Sequence, residues 1–292
     1  MSNTRLLAGL SVAAVAVSAF ASAASAQQAQ STPFLGANFI NFEGYKYGGM
    51  LPVGAEKNPD ALRILIRAAN SLGQMRDNQY QADPKVGGYY LVLGDTSLAM
   101  RIDGDGTWNG QKAHVVLDWD YGTPGIRLDV STDGGKTHQI QVAANNLAWD
   151  EKSPGVYSGP AQTSAQERLA LAYLMPSEAM LEVRDGLLSA KASKAGARDV
   201  ITVAVPKLGT GVNNVITFDA DGHPVHGEIA LNGHTYTGDF DEFLADRMDM
   251  AVNFSHHVVL KVDGKETANL ELNWHQVNPY LIFPVPKEVA AK

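Results

Sequence analysis

"AHVVLDWDYG", residues 113–122, changes character with every step along the chain. Val115, Leu117, Trp119 and Tyr121 fall on one side of an extended backbone, and His114, Val116, Asp118 and Asp120 on the other. A helix would scatter both sets around its axis. The stretch is therefore a strand with one covered and one wet face, the signature of an antiparallel sheet. The same period of two runs through "GYYLVLG" (88–94), "SLAMRID" (97–103), "GIRLDVS" (125–131) and "HQIQVAA" (138–144). "DGDGTWNG" (103–110) and "STDGGK" (131–136) between them read as turns.

Upstream the period changes. Asn58-Pro59-Asp60 starts a helix, with Asn as cap and Pro in the first turn. Leu62, Leu65, Ile66, Ala69 and Leu72 recur at helical spacing, and Gly73 closes the element in a left-handed cap. Residues 27–57 mix Gln, Ser, Pro and Gly with scattered aromatics, and read as a loose lead-in or one edge strand. Ahead of them Arg5, the apolar run Leu6–Phe20 and Ala24-Ser25-Ala26 form an export signal over residues 1–26, cleaved before Gln27. The apolar run is too short for a membrane anchor.

Downstream, Ser164 and Glu167 form a capping box ahead of Leu169, Tyr173 and Leu174. Pro176-Ser177-Glu178 restarts a second helix that stops near Gly186. "SAKASKAGARD" (189–199) reads as a polar loop, and strands resume over 200–205, 214–233 and 252–277. The acidic run "DFDEFLADRMD" (239–249) places Phe240, Phe243 and Leu244 at helical spacing, as in a short surface helix. The expectation is a mainly β chain with inserted helices: a curved antiparallel sheet, or half-barrel, of roughly ten strands, with helices over its concave face. Residues 58–292 form that single domain.

The chain has no cysteine, and its formal net charge is −8 without any Lys/Arg-rich run. An exported protein of this kind holds together by its core, in a periplasm, and nucleic acid is not its partner. No G-x-S-x-G, H-E-x-x-H or P-loop occurs, and "DGDGTWNG" lacks the carboxylates of a calcium loop.

"FSHHVVLKV" (254–262) raises the question of metal. Adjacent strand residues point to opposite faces, so His256 and His257 do not serve one ion together. A three-residue turn with Gly264 in the left-handed slot places His256 on a face with Phe254, Val258, Leu260, Leu272 and Trp274. His257 joins Lys261, Asn273 and His275 on the other. No metal and no cofactor is expected.

The element order, with "F-D-E-F-L … V-N-F-S-H-H-V-V-L-K-V-D-G-K … L-E-L-N-W-H-Q-V-N-P-Y-L-I-F-P-V-P", resembles the periplasmic lipoprotein-carrier superfamily (LolA/LolB-like half-barrels). It is also similar to the exported segments that precede some metallo-β-lactamase domains. The matching positions are Phe254, Val258, Val277, Asn278, Phe283 and Pro286, with Ser255 where the pattern has proline. The hydrolase's H-x-H-x-D-H motif is missing, so its chemistry is not implied. Two functions follow as expectations. In the first, the half-barrel binds a hydrophobic or aromatic small molecule, or an acyl chain, against Trp119, Tyr121, Phe254, Leu272 and Trp274. In the second, a cofactor-independent lyase, isomerase or hydrolase acts on an aromatic substrate there, with His256 as general base beside His234, Tyr236 and Asp239. Stable membrane insertion is not expected, and oligomeric state is left open.

Overall fold

A computed structural model describes residues 40–43, 45–49, 51–73, 75–78, 90–93, 99–245 and 253–290. The export signal lies outside them. Seventeen strands are described: β1 Ile40–Phe42, β2 Tyr45–Gly49, β3 Met75–Asn78, β4 Tyr90–Leu93, β5 Ala99–Trp108, β6 Gln111–Asp120, β7 Gly125–Thr132, β8 Thr137–Ala144, β9 Leu147–Ser153, β10 Val156–Pro160, β11 Lys191–Ala195, β12 Arg198–Ala204, β13 Asn213–Phe218, β14 Pro224–Leu231, β15 His234–Ala245, β16 Asn253–Val262 and β17 Lys265–Val277. The helices are α1 Pro59–Ser71, α2 Ala165–Leu174, α3 Pro176–Asp185 and α4 Lys287–Ala290. Among the described residues, no helix is long and apolar enough to cross a membrane.

Thirteen strands form one open antiparallel sheet in the order β10-β9-β8-β7-β6-β5-β17-β16-β15-β14-β13-β12-β11. Each arm is a meander in which neighbours in sequence pair in space. The arms meet at one seam, where β5 pairs with β17 from Met100↔Val277 to Trp108↔Ala268. The two outermost strands, β10 and β11, are joined by α2 and α3. These helices cover one face of the sheet, α2 packing on β7, β8, β14 and β15, and α3 on β12 and β14.

"AHVVLDWDYG" behaves as its alternation requires. Ala113, Val115, Leu117 and Trp119 are buried, while His114, Val116 and Asp120 are partly exposed. Asp118 is the exception, a buried carboxylate on the outer face gripped by Arg101 at 2.6 and 2.7 Å. The α2 start also follows its residues. Glu167 N–H donates to Ser164 Oγ, and Ser164 N–H to Glu167 Oε2. Gly73 takes a φ of 69° after α1. Asn58 differs: its side chain donates to Leu187 O and Ala190 O, tying α1 to the end of α3 instead of capping.

Several elements depart from expectation. The sheet has thirteen strands, because "SAKASKAGARD" is the β11–β12 hairpin and "DFDEFLADRMD" begins as the end of β15. In β11 most side chains are exposed, as suits an edge strand, and polarity there had looked like a loop. In β15 buried Phe240 packs inward, and Glu242, with φ of 53°, interrupts the pairing between Asp241↔His257 and Phe243↔Ser255 without shifting its register. Residues 246–249 of that run lie outside the described residues. "DGDGTWNG" turns only at Asn109 and Gly110. Its first six residues belong to β5, where glycine is required because a Cβ on Gly106 would meet the Asn269 carbonyl oxygen at 2.0 Å.

Of the lead-in, residues 40–43, 45–49 and 51–57 are described. β1 and β2 form a hairpin, β2 pairs in parallel with β4, and β3 completes a second, four-stranded sheet. "GYYLVLG" therefore contributes β4 to this small sheet and not to the large meander. Tyr47 and Leu51 join α1, α3 and strands β12 and β13 in a second apolar core.

Candidate functional site

The two histidines resolve through two bulges. Asp263 and Gly264 make a two-residue turn, both at positive φ. A bulge at Leu260/Lys261 then shifts the pairing so that Val258 opposes Leu270 and Leu260 opposes Ala268. The expected three-residue turn would have shifted it the other way. Both shifts have the same parity, so the faces survive although the partners do not. His257 lies on the outer face, with Nδ1 2.9 Å from Asp241 and Nε2 3.1 Å from Asn269. Burial opposes protonation of that ring, but Asn269 and Asp241 win and hold its pKa above the ordinary value.

A second bulge, between Leu272 and Trp274, reverses the rest of β17. Trp274 pairs with Asp103 on the outer face and is 43% exposed, whereas His275 opposes Ile102 and is buried. The His275 ring lies 3.7 Å, centroid to centroid, from that of Phe254. Trp274 is thus not part of the apolar wall expected of it. Trp274→Ala is expected to shift the thermal midpoint by less than about 2 °C, as for exposed positions generally, in a calorimetric scan.

Trp119, Phe254 and Leu272 do come together, with Met175 and Val258, around a slot of only about 20 Å³. That holds at most one water, so these residues pack here as core. Tyr121 is buried beneath α3, its hydroxyl donating to Asp185 Oδ2 at 2.6 Å. His256 lines neither this slot nor the larger hollow described next.

That hollow, of about 330 Å³, opens between α2 and the far ends of β5, β7, β15 and β16. Trp108, Leu128, Leu171, Leu174, Tyr236 and Leu260 give it an apolar lining. Glu167, Arg168, His234 and Lys261 stand on its rim. Each rim cation is already matched by a carboxylate: Arg168 by Asp150 at 2.6 Å, His234 by Asp263 at 2.7 Å, Lys261 by Asp239 at 2.7 Å. Asp263 raises the pKa of His234, and burial raises that of the Tyr236 hydroxyl. Burial also pulls Asp239 upward, yet Lys261 and His226 together hold it below the usual carboxylate value. Glu167 is lowered first by the Ser164 backbone N–H.

Of the residues expected to do chemistry, His234 and Tyr236 reach this hollow, their rings 6.4 Å apart and edge to face. Asp239 is engaged by His226 and Lys261, and His256 lies elsewhere, so the four do not assemble. Trp108 and Leu171 are among the lining residues that sequence reasoning missed, with Leu128, Leu174 and Leu260. Trp108 was hidden in a supposed turn, and Leu171 sits at the flank of the apolar stripe of α2.

Among the described residues, one group of possible metal ligands gathers, Asp219, Asp221 and His223 between β13 and β14. Asp219 Oδ1 accepts the backbone N–H of both Asp221 and His223, and its Oδ2 meets His223 Nδ1 at 3.2 Å. The arrangement is that of an Asx-supported turn. No family model matches the chain, and no curated protein matches it.

Proposed function

We propose that the protein binds an uncharged hydrophobic or aromatic molecule, or an acyl chain, in the hollow between α2 and the ends of β5, β7, β15 and β16, and that it does so as an exported periplasmic half-barrel of the lipoprotein-carrier kind. The observation that carries this reading is the apolar hollow itself, whose lining includes an indole and a phenol at its margins. Apolar area removed from water there stabilises a complex by about 25 cal/mol per Å². The rim argues for a neutral ligand. Arg168, His234 and Lys261 are neutralised by Asp150, Asp263 and Asp239, and Glu167 leaves a small negative excess unfavourable to an anionic head.

Support for curvature comes from distance. In sheet order β8 and β14 are seven steps apart, roughly 34 Å on a flat sheet at about 4.8 Å per step. The ten-residue α2 is only about 15 Å long. Its contact with both strands supports a sheet curled around it.

The test is titration with the neutral aromatic probe N-phenyl-1-naphthylamine, followed by its fluorescence. One saturable site is expected, with competition by decanol. Leu171→Trp, which narrows the hollow and blocks its apolar wall, should weaken binding at least tenfold. Tyr236→Ala should weaken it severalfold through lost ring contact, the worth of an aromatic pair being about 1 kcal/mol. Binding unchanged in Leu171→Trp would remove the site from this hollow. His256→Gln, distant from the lining, should bind as wild type in the same assay.

A further inference from the structure

Two carboxylates lie buried one turn apart on the inner side of α3. Glu178 is 1% and Glu182 3% exposed. One ammonium enters the group beside Glu182. Lys207 Nζ donates to the Tyr121 carbonyl at 3.1 Å, lies 3.5 Å from the centre of the Tyr121 ring and stands 3.9 Å from Glu182 Oε1. Around this group four buried polar atoms make no well-formed hydrogen bond among the described residues: Glu178 Oε1, Glu182 Oε1, Tyr173 Oη and Trp119 Nε1, the last facing Glu178 closely enough to favour its charge. Such atoms are costly to leave unmatched when charged and much less so when neutral. The cluster can therefore hold one negative charge against Lys207, but not two.

We propose that α3 is a proton-operated strap: while a proton remains on the Glu178–Glu182 pair the helix stays on the sheet, and loss of that proton lifts it and loosens the hollow beside α2. The mechanical link is short. α2 ends at Leu174 and α3 begins at Pro176, so Met175 alone joins the strap to the helix that supplies Leu171 and Leu174 to the lining. The coupling to ligand rests on the reading of that hollow, whereas the strap itself does not.

The groups acting on the pair agree with this. Burial raises Glu178 far above an ordinary glutamate, Lys207 draws it back, Glu182 raises it again, the Trp119 N–H lowers it and Asp120 raises it. Burial raises Glu182 to about 7, opposed by Lys207 and the Tyr121 hydroxyl, with Asp185 raising and Arg184 lowering. α1 and β12 meet α3 through apolar side chains such as Leu62, Leu65 and Val203. For Glu182, folded and unfolded chains alike hold the proton below about 4.5. Between there and about 7 only the folded chain holds it, and above about 7 its contribution to stability is gone.

Hydrogen exchange of the full chain between pH 4 and 9, corrected for intrinsic rates, reads the strap directly. Amides of residues 177–186 should lose protection from about pH 4.5 upward, the opening constant rising about tenfold per pH unit for one proton and levelling above about 7. Amides of β6 and β7 should hold theirs. Glu182→Gln should flatten the dependence. Lys207→Met, which removes the cation that favours ionisation, should carry the rise to higher pH before it levels. Release of N-phenyl-1-naphthylamine should follow the same pH curve. Protection independent of pH in the wild type, or unmoved in Lys207→Met, would overturn the strap, and pH-independent release from a bound state would overturn its link to the hollow. Absence of probe binding at every pH would instead fail the hollow, with exchange still deciding the strap.

Discussion

Arg168→Ala is expected to lower the thermal midpoint by roughly 6–20 °C. The guanidinium is buried, and its donors are spent on the carbonyls of Val142 and Trp149, the hydroxyl of Thr163 and the carboxylate of Asp150. It thereby bolts the first turn of α2 to β8 and β9. Removing one side of a buried ionic network leaves the other uncompensated and costs roughly 3–5 kcal/mol. For a chain of this size each kcal/mol moves the midpoint by about 2–4 °C. Arg168→Lys should rescue little, because a compact ammonium cannot reach four acceptors spread over a planar fork. Circular dichroism melts of the two variants check this. A shift under about 3 °C for the alanine variant would show that α2 is held by its apolar face alone.

Gly106→Ala is expected to be more damaging still. The added methyl would sit 2.0 Å from the Asn269 carbonyl oxygen, a backbone atom with nowhere to go, and Leu270 Cα follows at 3.0 Å. The seam between the two arms must then part, or β5 must abandon its pairing with β17. Soluble folded yield should fall at least tenfold, measured against Gly159→Ala. That glycine lies in β10, where an added Cβ meets nothing within 4 Å, and its substitution should be nearly neutral. Comparable yields for both variants would mean that the seam tolerates a wider strand spacing than its register implies.

Much of this architecture was readable in the sequence, because period-two burial and capping chemistry act locally. Val115, Leu117 and Trp119 announced their face, and Ser164 and Glu167 announced their helix, through interactions a few residues long. What was not readable depends on residues far apart in the chain. Nothing near Trp274 signals that a bulge at Asn273 turns it outward, since that bulge exists only relative to Gly104 and Asp103 of β5. "DGDG" looked like a turn because the reason for its glycines is the backbone of Glu271 and Asn269, more than 160 residues away. The hollow was misplaced for the same cause. Trp119, Phe254 and Leu272 look like lining residues until α2 and α3 fill the space above them. The four catalytic candidates shared a stretch of sequence without sharing a site. His234 and Tyr236 alone reached the hollow, at its rim.

The seam also sets a temporal order on the chain. Both meanders can zip by hairpins between neighbours, each closing a short loop in microseconds. The β5–β17 pairing cannot, because Trp108 waits for Ala268 and Met100 for Val277, separations of 160 and 177 residues. Closing such loops carries an entropic cost that local contacts never meet. Until it is met, a ten-residue β5 presents an unpaired edge softened by two glycines that no side chain guards. This topology predicts that the slow, concentration-sensitive step in refolding is the meeting of the two arms, with competing chains at that moment the main hazard to yield.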